Sequence, residues 1–109
     1  MVVRIILFAL RPDLSDYDSR ILLATINGTV KSVPGILSFN VGRRLETDGT
    51  YRLGGTLEAA PGPDYDYAAV FQFEDKKALQ NYLHHPAQHE LKTRFVAAVT
   101  AATTADFEM

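Results

Sequence analysis

The opening segment of the chain predicts a β-strand that is apolar on both of its faces. Side chains of a strand alternate between two faces, and here both sets are apolar: Val3, Ile5, Leu7 and Ala9 on one, Ile6, Phe8 and Leu10 on the other. A strand of this kind is covered by other protein on both sides. A chain of 109 residues predicts a single domain, residues 1–109, with one core.

The rest of the chain predicts three helices and three further strands, from the period of its apolar residues and from turn signals. In chain order these are a helix over 16–32, a strand over 36–42, a long exposed loop over 46–63 with a short hairpin around Tyr51, a strand over 65–73, a helix after Glu74-Asp75, a helix from Pro86 with the apolar stripe Leu91, Phe95, Ala98 and Ala102, and a closing strand over 103–107. Gly28 weakens the first helix by about 1 kcal/mol relative to alanine, which favours fraying or an early end there.

This order of elements is that of a split βαβ arrangement, so the predicted fold class is α+β, ferredoxin-like. The helices of such a fold cover one face of a four-stranded sheet, and the other face here is also apolar. No element remains to cover it, so we expect an obligate homodimer, a dimeric α/β barrel whose two sheets enclose a small cavity. We assign to its interface the rings of the third strand: Tyr65, Tyr67, Phe71 and Phe73.

Charge and composition exclude several classes of function. The formal charge is -2, from 11 basic and 13 acidic residues, and the basic residues form no stripe, so nucleic acid is not an expected partner. The apolar run after Arg4 is too short to cross a bilayer and lacks a cleavage site, so we expect a cytoplasmic protein without a membrane partner. The absence of cysteine excludes disulfides, cysteine-based metal sites and a thiol nucleophile.

All three histidines lie in one short segment, at positions 84, 85 and 89. His85 and His89 are four residues apart, the spacing that brings two imidazoles near one divalent metal. The adjacent carboxylate of Glu90 points elsewhere, and two nitrogens alone make a poor site. We therefore expect no metal at this segment.

Four stretches, taken together and in order, resemble the stress-responsive A/B barrel family of small dimeric α+β barrels. They are residues 4–8 (RIILF), 33–42 (VPGILSFNVG), 65–68 (YDYA) and 82–87 (YLHHPA). The loop over 46–63 departs from the family pattern and is interpreted as an insertion. The resemblance implies the fold and the dimer; most members of the family have no assigned reaction.

The resemblance also implies candidate acid–base residues. The plant polyketide cyclases of that family hold a linear polyketide without a metal or an organic cofactor, so the resemblance implies no cofactor here. They use a first-strand histidine together with a Tyr-x-x-His-Pro-x-His pattern. Tyr82 and His85-Pro86 match this pattern, whereas Arg4 and Gln88 stand where the two proton-moving histidines would be. A guanidinium stays charged and an amide does not titrate, so neither supplies a general base.

The phase of the third helix predicts which side chains face the cavity. At 100° per residue, Gln88 lies almost in line with Phe95 and about 60° from Leu91, whereas His89 lies about 160° from Leu91. Gln88 therefore points inward and His89 outward, unless the helix begins one residue out of register.

Each candidate residue has a structural alternative. His85 can cap the third helix, Tyr82 can be a core residue with a satisfied hydroxyl, and Arg4 can lie at the rim, pair with an acid or meet an anionic ligand. The candidate catalytic residues are Tyr82 and His85, and the candidate ligand-binding residues are Arg4, Ile6, Phe8, Tyr67 and Gln88.

Three functions fit the sequence. The leading hypothesis is a homodimer with a small apolar cavity that binds a small hydrophobic or aromatic molecule, without an assigned reaction. The second is a cofactor-independent enzyme, either polyketide cyclase-like or of the antibiotic-biosynthesis monooxygenase type. The third is a structural or interaction module that forms higher oligomers.

Overall fold

A computed structural model describes residues 1–45 and 65–109. The predicted loop over 46–63, with its hairpin around Tyr51, lies outside the described residues. The elements follow the predicted order: β1 Val2–Leu10, α1 Asp16–Ser32, β2 Ile36–Arg43, β3 Tyr67–Phe73, α2 Lys76–Leu83, α3 Pro86–Ala98 and β4 Val99–Glu108.

The four strands form one sheet in the order β2-β3-β1-β4, and each neighbouring pair is antiparallel. This arrangement is the ferredoxin-like α+β fold, so the predicted fold class is confirmed. Strand β1 occupies an interior position between β3 and β4, which explains why both of its faces are apolar.

The predicted starts of the first two helices coincide with side-chain caps. The hydroxyl of Ser15 accepts a hydrogen bond from the backbone N–H of Asp18 at 3.0 Å, and the carboxylate of Asp75 accepts one from the N–H of Ala78 at 2.8 Å. Helix α1 continues through Gly28 to Ser32, because the buried residues Leu22, Ile26 and Thr29 anchor it on both sides of that glycine.

The turn between α1 and β2 requires glycine at position 35. Gly35 has a φ of 88°, and a Cβ there would lie 2.6 Å from the Cβ of Ala78. Its carbonyl accepts a hydrogen bond from the N–H of Glu74 at 3.1 Å. The Pro34-Gly35 turn therefore sets the close approach of the start of β2 to helix α2.

The core lies between the helices and one face of the sheet, here called the inner face. Phe71 and Phe73 are its most buried large side chains, at 2% and 0% exposure. The ring of Phe71 packs on Phe39 and Tyr82, with ring centroids 4.6 Å and 5.5 Å apart. Helix residues close the core from above: Leu22, Ile26, Ala78, Leu79, Leu91 and Ala98.

The predicted assignment of the third-strand rings to a dimer interface is wrong. Tyr67, Phe71 and Phe73 lie on the inner face and belong to the core of a single chain or pack against it, and Tyr65 precedes the strand. Alternation along a strand defines two faces but does not say which of them the helices cover. The large rings fill the space below the helices.

The opposite face of the sheet, here called the outer face, carries mainly small and aliphatic side chains from three strands. Leu7 and Phe107 remain 37% and 48% exposed on a single chain. The strand registers place these apolar residues together: Val3, Ile5, Leu7, Ala9, Ala68, Val70, Ala105 and Phe107.

The closing strand begins earlier than the sequence predicts. Helix α3 ends at Ala98, and β4 starts immediately at Val99, which pairs with Leu10 of β1. Ala102, assigned to the stripe of the third helix, lies in β4 opposite Phe8 and is exposed. Alanine fits either element, and the β-branched Val99 and Thr100 favour the extended backbone.

Candidate functional site

A cavity of about 410 Å³ lies between the inner face of the sheet and the three helices. Most of its wall is aliphatic or aromatic, and residues of every helix and every strand contribute to it. The lining residues are Arg4, Ile6, Phe8, Leu22, Ile26, Phe39, Ala69, Phe71, Tyr82, Leu83, Gln88, Leu91, Lys92, Phe95, Val96 and Thr104. The cavity lies within one chain, on the helix side of the sheet, and not between two sheets as expected from the sequence.

Arg4 reaches the cavity wall from the interior strand β1 and is paired with Asp106. The two residues are direct partners in the β1–β4 register. The guanidinium donates from Nε to Oδ1 at 2.8 Å and from Nη2 to Oδ2 at 3.1 Å. The side chains are 14% and 36% exposed, so the carboxylate lies nearer to water than the guanidinium. Of the alternatives for Arg4, the structure shows the acid pair.

Tyr82 faces the cavity from helix α2 and is 2% exposed. Its ring lies beneath the guanidinium of Arg4, whose Cζ is 6.0 Å from the ring centroid. Within the described residues the hydroxyl of Tyr82 has no hydrogen-bond partner. Since every fully buried side-chain nitrogen or oxygen of these residues has one, the hydroxyl oxygen is not fully buried. The hydroxyl oxygen is therefore in contact with the open space of the cavity.

Burial raises the pKa of the Tyr82 hydroxyl above its usual range, and the nearby positive charge of Arg4 counteracts part of that rise. The phenol is therefore uncharged at neutral pH. In this state it offers one O–H donor and an acceptor to a molecule in the cavity, but it is not a base.

His85 lies at the junction of α2 and α3 and caps α3. The Nδ1 of its imidazole accepts a hydrogen bond from the backbone N–H of Ala87 at 3.0 Å, and the backbone N–H of His85 donates to the carbonyl of Tyr82 at 3.1 Å. His85 is half-buried and is not among the residues that line the cavity. The imidazole thus fixes the start of the helix that carries Gln88.

Gln88 and His89 occupy the two sides of α3 that the helical phase predicts. Gln88 is half-buried and lines the cavity, whereas His89 is exposed and does not. Because Pro86 is the first helical residue, the helix is not shifted by one position.

The aromatic end of the cavity is built around Phe8. Its ring makes an edge contact with Phe95, with centroids 5.1 Å apart, and stacks on Tyr67 at 5.5 Å. Ile6 and Phe8 line the cavity, whereas Tyr67 lies one layer behind, with the guanidinium of Arg43 over its ring at 5.8 Å. Tyr67 therefore supports a wall of the cavity through Phe8.

Sequence reasoning did not single out three polar residues of the site. Lys92 and Thr104 line the cavity, and Asp106 pairs with Arg4. Lys92, Val96 and Thr104 are exposed, which places the mouth of the cavity between α3 and β4. The two-residue spacing of Thr104 and Asp106 is the signal in the sequence, because it puts both side chains on one face of a strand.

In residues 1–45 and 65–109, no group of three or more His, Asp or Glu side chains lies close enough together to hold a metal ion. No helix in this part of the chain has the length and hydropathy needed to span a membrane.

Comparisons with known proteins give one family and one fold. The sequence pattern of the stress responsive A/B barrel domain matches residues 2–109. Among curated proteins, none matches the chain in sequence.

Several solved structures share the fold. One from Arabidopsis thaliana is 19% identical, with a TM-score of 0.78 over 100% of this chain and 95% of that one. The hydroxynitrile lyase of Passiflora edulis is 15% identical, with a TM-score of 0.77 over 99% and 92% of the two chains. A dimeric ferredoxin-like protein of unknown function from Jannaschia sp. CCS1 is 18% identical, with a TM-score of 0.75 over 99% and 98%. At these identities the likeness concerns the fold.

Proposed function

The chain belongs to the stress responsive A/B barrel domain family, and we propose that it functions as a homodimer that binds a small apolar or aromatic molecule in the cavity of each protomer. The observation that carries this proposal is the cavity of about 410 Å³ below the helices. Its size lies in the range of small-molecule sites, and its wall has the composition of such sites: mostly apolar, with a few polar groups.

The polar groups of the wall support specific binding rather than simple packing. The hydroxyl of Tyr82 and the amide of Gln88 have no hydrogen-bond partner within the described residues, and both border the cavity. Because both groups are open to the cavity, they can donate hydrogen bonds to a ligand there and accept hydrogen bonds from it.

The outer face of the sheet supports the homodimer. On a single chain Leu7, Ala105 and Phe107 of this face are exposed, and its residues Ile5, Ala68 and Val70 are half-buried, whereas Val3 and Ala9 are buried. A contiguous apolar face of this kind is rare on a monomer and is buried when two copies pack sheet to sheet. The Jannaschia protein of the same fold is described as dimeric.

Occupation of the cavity is tested by filling it. The uncharged fluorophore N-phenyl-1-naphthylamine is titrated into the wild-type protein, Ala69→Leu and Ala24→Leu. Ala69 lines the cavity, so the larger side chain takes up ligand space, whereas the exposed Ala24 adds the same atoms outside it. We expect loss of the fluorescence rise in Ala69→Leu alone; equal binding by all three proteins contradicts the proposal.

A second candidate function is a cofactor-independent enzyme, either polyketide cyclase-like or oxygenase-like, with proton transfer at Tyr82. The arrangement of Tyr82 beneath Arg4 favours it, because an uncharged phenol beside a guanidinium can donate a proton while the cation stabilises the negative charge that forms. In this function His85 is a positioning residue, since its imidazole caps the start of α3, the helix that carries Gln88. Hydroxynitrile lyase of Passiflora edulis has the same fold.

Proton transfer at Tyr82 is tested with a ketone whose enol forms when water removes an α-proton and the Tyr82 hydroxyl donates a proton to the carbonyl oxygen; reversal in D₂O places deuterium on the carbon. Exchange of the α-protons of 1-indanone in D₂O is followed by NMR with the wild-type protein, Tyr82→Phe and buffer alone. The enzyme hypothesis expects faster exchange with the wild-type protein only. A wild-type rate equal to that of Tyr82→Phe removes Tyr82 from the mechanism.

A further inference from the structure

The cavity carries an excess positive charge at its mouth. Its two cationic side chains are Arg4 and Lys92, and the charge of Arg4 is neutralised by Asp106 through two hydrogen bonds. In the part of the chain that the structure describes, Lys92 has no ion-pair partner. One uncompensated cation therefore faces a largely apolar space.

The carboxylates of the neighbouring elements are engaged elsewhere. Glu90 on the same helix pairs with Arg94 at 3.5 Å, and Glu108 on β4 pairs with Lys76 at 3.8 Å. Neither lines the cavity. The charge of Lys92 is thus available to a molecule that enters the cavity.

The position of Lys92 on α3 aims its charge at the mouth. Gln88, Lys92 and Val96 follow one another at intervals of four residues, so they lie on one side of the helix in successive turns. Gln88 is half-buried, whereas Lys92 and Val96 are exposed. A ligand whose apolar body lies against Phe8 and Phe95 can therefore keep a polar end beside Lys92.

The polar groups of the wall that have no partner among the described residues are mainly donors. The ammonium group of Lys92 has three N–H donors, and the hydroxyls of Tyr82 and Thr104 and the amide of Gln88 each have donors of their own. Within residues 1–45 and 65–109, Nη1 of Arg4 has no hydrogen-bond partner after the two bonds to Asp106. Donors and one net positive charge are complementary to an anion with several acceptor atoms.

On the premise of the proposed binding function, we propose that the preferred ligand is a monoanion of the aromatic carboxylate class, with its ring in the cavity and its carboxylate at Lys92. The fork of the Arg4 guanidinium is already engaged by Asp106, so the site presents a single point charge and not a bidentate clamp. One ammonium with neighbouring hydroxyls matches one carboxylate.

Two probes of the same shape test this preference: 2-naphthoate and 2-naphthamide, titrated by calorimetry into the wild-type protein, Lys92→Gln and Lys77→Gln. Lys77 is an exposed lysine of α2 that does not line the cavity, so it controls for the general loss of a positive charge. We expect the wild-type protein and Lys77→Gln to bind the naphthoate about tenfold more tightly than the amide, with a ratio that falls as salt is added. Lys92→Gln should bring the ratio close to one.

The outcomes separate this inference from the binding function itself. Equal affinities of the wild-type protein for the two probes, or an unchanged ratio in Lys92→Gln, overturn the anion preference and leave the binding function standing. Absence of binding for both probes, in a protein that also fails to bind N-phenyl-1-naphthylamine, overturns both.

Discussion

Arg4 and Asp106, which are 102 positions apart in the sequence, lie opposite each other on the neighbouring strands β1 and β4 and share two hydrogen bonds. The pair allows a guanidinium to lie in the wall of an apolar cavity, because the carboxylate supplies the acceptors that water would otherwise provide. It also holds the positive charge above the ring of Tyr82.

Arg4 is more deeply buried than Asp106, so we expect the removal of Asp106 to cost more stability than the removal of Arg4. Asp106→Ala leaves the more buried guanidinium unpaired and should lower the free energy of unfolding by about 2 kcal/mol. Arg4→Met leaves a carboxylate that water can reach and keeps an apolar stem in the wall, so its cost should be about 1 kcal/mol or less. Urea unfolding of both variants checks this; equal losses contradict the assignment of Arg4 to the buried side.

The raised pKa of Tyr82 predicts how stability depends on alkaline pH. When the pH rises above about 10, the tyrosine of the unfolded chain loses its proton before the folded one does, and this favours unfolding. The stabilisation is complete below the unfolded pKa and is lost as the pH rises through the folded pKa. Burial is the larger cause of the shift and Arg4 reduces it.

Tyr82→Phe removes this linkage. Its free energy of unfolding, measured by urea titration between pH 8 and pH 11, should fall less steeply with pH than that of the wild-type protein. Parallel curves for the two proteins would mean that the hydroxyl titrates normally and is not shielded in the cavity wall.

The cap formed by His85 predicts a local loss when the imidazole is removed. His85→Ala frees the N–H of Ala87 and should cost about 1 kcal/mol of stability, whereas His85→Asn keeps an acceptor at the cap position and should restore most of it. The exposed neighbour His84 offers the matched control, since its imidazole has no hydrogen bond within the described residues. Thermal unfolding compares the three variants; similar losses for His84→Ala and His85→Ala argue against the cap.

The outer face of the sheet predicts which leucine matters for assembly. Leu7→Lys places a charge in the centre of this face and should convert the proposed homodimer into a monomer. Leu23→Lys introduces the same charge at another exposed leucine, on the surface of α1 and away from the sheet, and should leave the proposed dimer intact. Sedimentation velocity gives the mass of each. A wild-type protein that is monomeric at micromolar concentration, or one that forms larger assemblies, contradicts the two-sheet dimer.

The order of elements and the helix starts could be predicted because their signals are local. Ser15, Asp75 and Pro86 each act within one turn of their own position, and the structure confirms the helix starts at all three. The end of α3 could not be fixed in this way, since the alanines of its last stretch fit a helix and a strand equally well. Pairing of Val99 with Leu10 decides it, and that contact is not local.

The candidate site could be predicted only in part from the sequence, because some of its residues are placed by non-local contacts. The phase of α3 places Gln88 inward because both residues that define the phase, Leu91 and Phe95, lie on the same helix. The partner of Arg4 depends on the register between the two ends of the chain, which no local pattern determines. Lys92 resembles any surface lysine until the exposed side of the cavity is known.

The most direct test of the proposed binding function is to locate the probe inside the protein. The five isoleucines provide a built-in control, because Ile6 and Ile26 line the cavity whereas Ile5, Ile21 and Ile36 do not. With ¹³C-labelled isoleucine δ1-methyl groups, N-phenyl-1-naphthylamine should shift the NMR signals of Ile6 and Ile26 in a saturable manner and leave the other three nearly unchanged. Saturable shifts confined to Ile5, or no saturable shift at all, would contradict a binding site between the sheet and the helices.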